Sequence, residues 1–128
     1  GADRIAEMLK SAAEVGGVKV VIAEVQLESA DEGRQLGDQL RERLGSGIAV
    51  LGARTGGRGA LYAIVTDDLI QRGIRADALV REIAAVVGGK GGGRPHLAQA
   101  GVAEPDRLAE ALGAVHDAVR AQLAGAPA

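Results

Sequence analysis

A chain of 128 residues, 47% hydrophobic and 25% charged, has the length and polarity of one domain with a core of its own and leaves little room for two. Lys and Arg number 15 against 17 Asp and Glu, and the net charge of -2 excludes indiscriminate attraction of the whole surface to a polyanion, so any nucleic-acid contact has to be local. Cysteine, Phe and Trp are absent and Tyr62 is the single aromatic, which excludes a thiol nucleophile, a disulfide framework, thiolate zinc ligation and the row of stacking rings used by single-strand readers.

No apolar run approaches the length of about 18 residues of a membrane span, and no charged start followed by an apolar stretch marks a signal peptide. The lack of cysteine agrees with a reducing cytoplasm. The chain opens on Gly1-Ala2 without an initiator Met and runs at once into a helical pattern, which reads as a piece of a longer protein.

Ile5, Met8, Leu9 and Ala12 recur at i, i+3, i+4 and i+7 and predict a first helix ending near Gly16-Gly17. The β-branched run from Val18 to Val25 predicts a buried strand. Ser29 and Glu32 form a capping box for a second helix, with Leu36, Leu40 and Leu44 on one face and Gly45 as its stop. Gly33 and Gly37 share that face and each costs about 1 kcal/mol of helix propensity relative to Ala, which predicts close packing on a sheet. Arg34, Arg41 and Arg43 alternate with Asp38 and Glu42 as on a solvated face, and carry no functional weight.

Ile48–Ala53 and Ala60–Thr66 predict two strands of an antiparallel hairpin joined by Arg54–Gly59, whose Arg54 and Arg58 are candidates for a secondary phosphate contact. A third helix follows with Leu79, Val80, Ile83, Val86 and Val87 inward, ended by Gly88. Gly88 to Pro95 predicts a loop, because glycine loses most entropy on ordering and proline donates no ladder hydrogen bond. Leu97–Val102 predicts a short strand, and Pro105 opens a last helix with the stripe Leu108, Leu112, Val115, Val119 and Leu123, ended by Gly125 and Pro127. This order predicts an α/β fold, a small mixed sheet flanked by helices.

Function is expected in GGKGGGRPHLAQAG, Gly88 to Gly101. Gly91, Gly92 and Gly93 let a backbone approach a phosphate or sugar and aim N–H groups at it, while Lys90 and Arg94 neutralise the charge. His96 can donate to a phosphate, stack beneath a sugar or base, or bond a neighbouring carbonyl. Gln99 can offer donor and acceptor to a ribose hydroxyl or clamp the loop backbone. A phosphate-binding P-loop is excluded, since Gly91 follows Lys90 where Ser or Thr is required and the run follows a helix. The competing structural account makes Gly88 a helix cap, Lys90 a partner of the negative helix end and the other glycines a connector. Two histidines without cysteine do not complete a zinc site from N and S ligands, and His116 is expected at the surface or in packing.

GGKGGGRPHLAQAG resembles the glycine-rich signature near the carboxyl end of bacterial alanyl-tRNA synthetases. The resemblance extends from the helix at Ile5 through Val18–Val25 and RERLGSGIAVLGA to the terminal helix. It implies their C-terminal domain, of the type also found as an accessory module in phosphoesterases with Asp-His-His motifs, where a GGGH-like turn contacts substrate. Here GGGRPH carries the histidine two places later. On this resemblance residues 1–17 are the end of a helical linker and 18–128 the globular tRNA-binding domain. The implied parent activates alanine with ATP, charges its tRNA, and clears mischarged serine or glycine at a separate zinc-containing editing domain. For the domain itself the resemblance implies no catalytic residue, metal or cofactor, a cytoplasmic location and no membrane partner. It implies contact with the outer corner of alanine-acceptor tRNA through Lys90, Gly91, Gly92, Gly93, Arg94, His96 and Gln99. The alternatives are a dimerisation module of the same enzyme, pairing through Ile5, Met8 and Leu9 of the N-terminal helix, and the substrate-binding lobe of a nucleotide phosphoesterase.

Overall fold

The computed structural model describes residues 2–126. Six strands form one mixed sheet in the order β1-β2-β3-β4-β6-β5. They are β1 (Ala13–Val15), β2 (Val18–Gln26), β3 (Ile48–Thr55), β4 (Arg58–Val65), β5 (Gly91–Gly93) and β6 (Leu97–Val102). Only β2 and β3 run parallel, and α2 (Ala30–Leu44) supplies the crossover that parallel neighbours require. The α/β fold expected from the element order is the one observed.

The pleat sorts side chains onto two faces. Val21, Leu51, Tyr62 and Ile64 face α1 (Ala2–Lys10) and α2, while Val20, Val50, Leu61 and Ala98 face α4 (Ala76–Ala85), α5 (Leu108–Leu112) and α6 (Val115–Gly125). The central strands are therefore apolar on both sides. α2 starts at the predicted cap: Ser29 Oγ accepts from Glu32 N–H at 3.2 Å, while the Glu32 carboxylate accepts from the N–H of Glu28, one residue before the N-cap, at 3.1 Å. Gly33 lies on the Tyr62 ring, where an added Cβ would stand 2.6 Å from Oη, and Gly37 lies on Leu97 and Ile64 at 3.1 and 3.3 Å.

Several expectations are corrected. The first helix stops at Lys10, and Gly16-Gly17 is the turn of a β1–β2 hairpin, with φ of 57° and 82°. Positive φ at both central residues matches the right-handed twist of paired strands, so Val15 and Val18 close a hairpin where a helix end was expected. The 17/18 boundary falls inside it. Ile5 and Met8 are buried under the sheet of their own chain. A short α3 (Asp67–Gln71) was not predicted. α4 ends at Ala85, so Val86 lies beyond the last turn and is 43% exposed instead of inward. The last helix is interrupted: a 3-10 turn (Pro105–Arg107) and α5 are separated from α6 at Gly113-Ala114.

The largest correction concerns the predicted loop. Gly91–Gly93 is a strand, β5, at the edge of the sheet. Pro95 falls in the turn after it and withholds no ladder bond, and an edge of three residues orders little chain. That turn is tied to α4, whose Ala76 N–H donates to the Pro95 carbonyl at 2.8 Å. Asp77, 7% exposed, holds the same helix start through Arg75 at 3.1 Å and Arg81 at 3.0 Å. Burial pushes the Asp77 carboxyl up, but the Arg75 hydrogen bond and the charges of Arg75 and Arg81 outweigh it and hold it below the ordinary carboxylate range.

A depressed carboxyl stabilises the fold fully above its unfolded pKa near 4 and loses that contribution as pH falls through the lower folded value. Acid titration of unfolding is therefore expected to be shallower in Asp77→Asn than in the parent chain below about pH 4. Gly33→Ala is expected to destabilise the domain by about 1–3 kcal/mol in urea unfolding, because overpacking against an immobile ring exceeds the helix-propensity gain of about 1 kcal/mol. Gly37→Ala should cost less, since the ends of Leu97 and Ile64 can shift.

Candidate nucleic-acid interface

Glycine spacing in β5 follows from strand contact. Its register pairs Gly91 with Ala100, Gly92 with Gln99 and Gly93 with Ala98. Arg94 N–H donates to the Leu97 carbonyl at 3.0 Å and closes the turn. Hydrogen-bonded and close non-bonded pairs alternate in an antiparallel ladder, so Gly92–Gln99 is bonded while Gly91–Ala100 and Gly93–Ala98 are close pairs. A Cβ on Gly91 would lie 2.6 Å from Ala100 Cβ, and one on Gly93 2.7 Å from Ala98 Cα, with φ at Gly93 of 147°. At Gly92 it would meet nothing within 4 Å. A side chain at Gly91 or Gly93 would thus run into β6, and of the three only Gly92 has open space where its Cβ would stand.

The outward side is a groove of about 460 Å3 between α2 and the β5–β6 hairpin. Gly92, Gly93, Arg94, His96 and Gln99 line it, joined by Arg34 and Asp38 of α2. Arg94 is exposed and has no ion-pair partner among the described residues. His96 is half-buried, and its carbonyl accepts from Val65 N–H at 3.1 Å, which fixes the backbone beside the groove. Gln99 is exposed, and its Oε1 accepts from Arg34 at 3.2 Å. Lys90 and Gly91 do not line the groove: Lys90 is exposed one residue before β5, at the opposite end of the ladder from Arg94.

Arg34 is the residue that helix periodicity discounted. It pairs with Asp31 on its own helix and reaches across to Gln99. The sequence signal is its neighbour: Gly33 lowers α2 onto Tyr62, and Tyr62 stands opposite Gln99 in the β4–β6 register. Burial raises the Tyr62 phenol above its ordinary range, and the Arg34 charge partly offsets that rise. His116 is half-buried on α6, apart from the groove. Among the described residues no group of three or more His, Cys, Asp or Glu side chains could hold a metal ion, and no helix is long and apolar enough to cross a membrane.

Residues 17–121 match the DHHA1 domain family. The chain belongs to that family. This DHHA1 domain is 48% identical over 108 residues to an alanine–tRNA ligase of Chloroflexus aurantiacus, an alignment covering 84% of the chain and 12% of that relative. It is similar to the crystal structure of the C-Ala domain of Aquifex aeolicus alanyl-tRNA synthetase, with a TM-score of 0.75 and 27% identity over 84% of this chain and 96% of that one. A DHH-domain protein described as a member of the s1p family of ribosomal proteins shares the fold alone, at a TM-score of 0.61 and 10% identity, over 91% of this chain and 30% of that one. The resemblance read from the glycine-rich segment is thus the family relation that the comparisons show.

Substitution should separate the glycines. Gly92→Ala is expected to leave urea-unfolding stability within about 0.5 kcal/mol, as at an unconstrained surface position. Gly91→Ala and Gly93→Ala should each destabilise by about 1–3 kcal/mol through forced separation of β5 from β6.

Proposed function

We propose that this DHHA1 domain is a noncatalytic tRNA-binding part of an alanine–tRNA ligase. The observation that carries the reading is Arg94, exposed and without an ion-pair partner among the described residues, in a groove where the backbone of Gly92 is open to a ligand. A phosphodiester there can take a charge-assisted bond from Arg94, with Lys90 adding a second cation at the other end of β5. On this reading His96 and Gln99, which line the groove, touch sugar or base edges, and Gln99 exchanges its bond to Arg34 for one to a ribose hydroxyl. Recognition by phosphate, ribose and shape needs no aromatic platform, which suits a chain without Phe or Trp whose one tyrosine is buried.

On this reading the partner is the outer corner of alanine-acceptor tRNA, and the domain aids charging and the clearing of mischarged tRNA in the cytoplasm. Activation of alanine with ATP and the zinc-containing editing centre belong to other parts of the parent. The support is the similarity to alanine–tRNA ligases, of which this chain spans 12% in the alignment given above. Pairing of protomers through the first helix would have to use residues other than Ile5 and Met8, which are already buried in their own domain.

The double variant Lys90→Ala/Arg94→Ala is expected to weaken tRNA binding and to reduce the slope of log affinity against log salt by about one per cation, with the melting temperature unchanged. Equal affinity and equal slope in the folded variant would overturn the reading.

A further inference from the structure

Arg54 and Arg58 flank the same hairpin turn, yet the structure treats them differently. Arg54 pairs with Asp106 at 3.3 Å, and the pleat places it on the face of Val50 and Gly52, against α5. Arg58 lies two residues before Ala60, which packs with the α1–α2 core, so it belongs to the face that carries Gln99 and Gly92. Arg58 is exposed and has no ion-pair partner among the described residues. The nearby Asp106 is engaged elsewhere, with Arg54.

Arg58 lines a second groove of about 390 Å3 with Gly59, Gly88, Gly89 and Gly101. A Cβ at Gly88 or Gly101 would meet nothing within 4 Å, so those two positions leave open surface beside Arg58, while Val87, Val102 and Ala103 complete the wall. Gly101 lies two residues beyond Gln99 on β6 and shares its face. Continuing the β5–β6 register sets Lys90 opposite Gly101, between the grooves. Arg94 and Lys90 are four residues apart along the ladder, roughly 13 Å, and Arg58 lies two strands to the side, roughly 10 Å. Three cations without an ion-pair partner among the described residues thus lie around the β5–β6 ladder, Arg94 in a groove that Asp38 also lines, and their spread suits a folded polynucleotide and is too wide for a single phosphate.

We propose that a second phosphate subsite for the RNA lies at Arg58, so that the footprint crosses the β5–β6 ladder from the Arg94 groove to the Arg58 groove. This rests on the tRNA-binding reading, and its test is built to fail separately from it. Binding of an alanine-acceptor tRNA transcript to the intact 128-residue chain is measured across a salt series for Arg58→Gln, Arg58→Lys, Arg54→Gln and Lys90→Ala/Arg94→Ala. Arg58→Gln is expected to weaken binding roughly threefold or more and lower the salt slope by about one, with Arg58→Lys restoring the slope and Arg54→Gln leaving both unchanged. If Lys90→Ala/Arg94→Ala weakens binding while Arg58→Gln behaves as Arg54→Gln does, the second subsite is wrong and the tRNA-binding reading stands. If neither changes affinity or slope, both fall. Arg58→Lys failing to restore a slope lost in Arg58→Gln also overturns the subsite, since its role is then not that of a charge.

Discussion

The contact of Gly33 with Tyr62 sets the depth at which α2 sits on the sheet. A side chain at position 33 would collide with the Tyr62 ring, so the helix would ride higher over β4. At the observed depth Arg34, the next residue, reaches Gln99 of β6, and Gly37 meets Leu97 at the start of the same strand. The wall of the first groove is therefore a by-product of core packing. Its opposite wall, the β5–β6 hairpin, is pinned to α4 through Pro95 and Ala76 and to β4 through His96 and Val65. Few degrees of freedom are left to be lost when a ligand is held there.

Glycine plays two parts in this small region. Gly91 and Gly93 let two strands approach closely, whereas Gly92, Gly88 and Gly101 leave surface without side chains. Backbone entropy, the reason to expect a loop, is overcome because each glycine of β5 gains partners along β6 and the turn beyond is anchored at both sides. A preordered backbone is a better surface for a rigid polyanion than a mobile one, since ordering has already been completed by folding.

Charge follows the same logic. The chain is weakly acidic, yet most arginines are matched locally, as in Arg41–Asp67, Arg75–Asp77, Arg107–Glu110 and Arg120–Asp117. Arg58, Lys90 and Arg94 have no such match among the described residues and lie on or beside β4 and the β5–β6 hairpin, while Lys19 and Arg72 stand elsewhere on the fold. Local excess on a neutralised background gives directed attraction without binding to every polyanion.

Periodicity and capping were sufficient to locate α2, the strands β2, β3, β4 and β6, the α/β class, and the segment around which the grooves form, because those signals are local in the chain. Arg94, His96 and Gln99, which the fold brings to one groove, could be singled out as candidates for the same reason. The Gly16-Gly17 hairpin and β5 were not legible as strands: three residues carry too little pattern, and only a neighbour distant in sequence gives them a ladder. Arg34 and the distinction between Arg54 and Arg58 were likewise decided by folding, through the height of a helix, the side of a pleat and the placement of Asp106. The amino-acid order determined the longer elements and the chemistry they carry, since both depend on near neighbours. Which cations stay unpaired and share a surface was settled by packing, because a charge is cancelled by whatever the fold brings beside it.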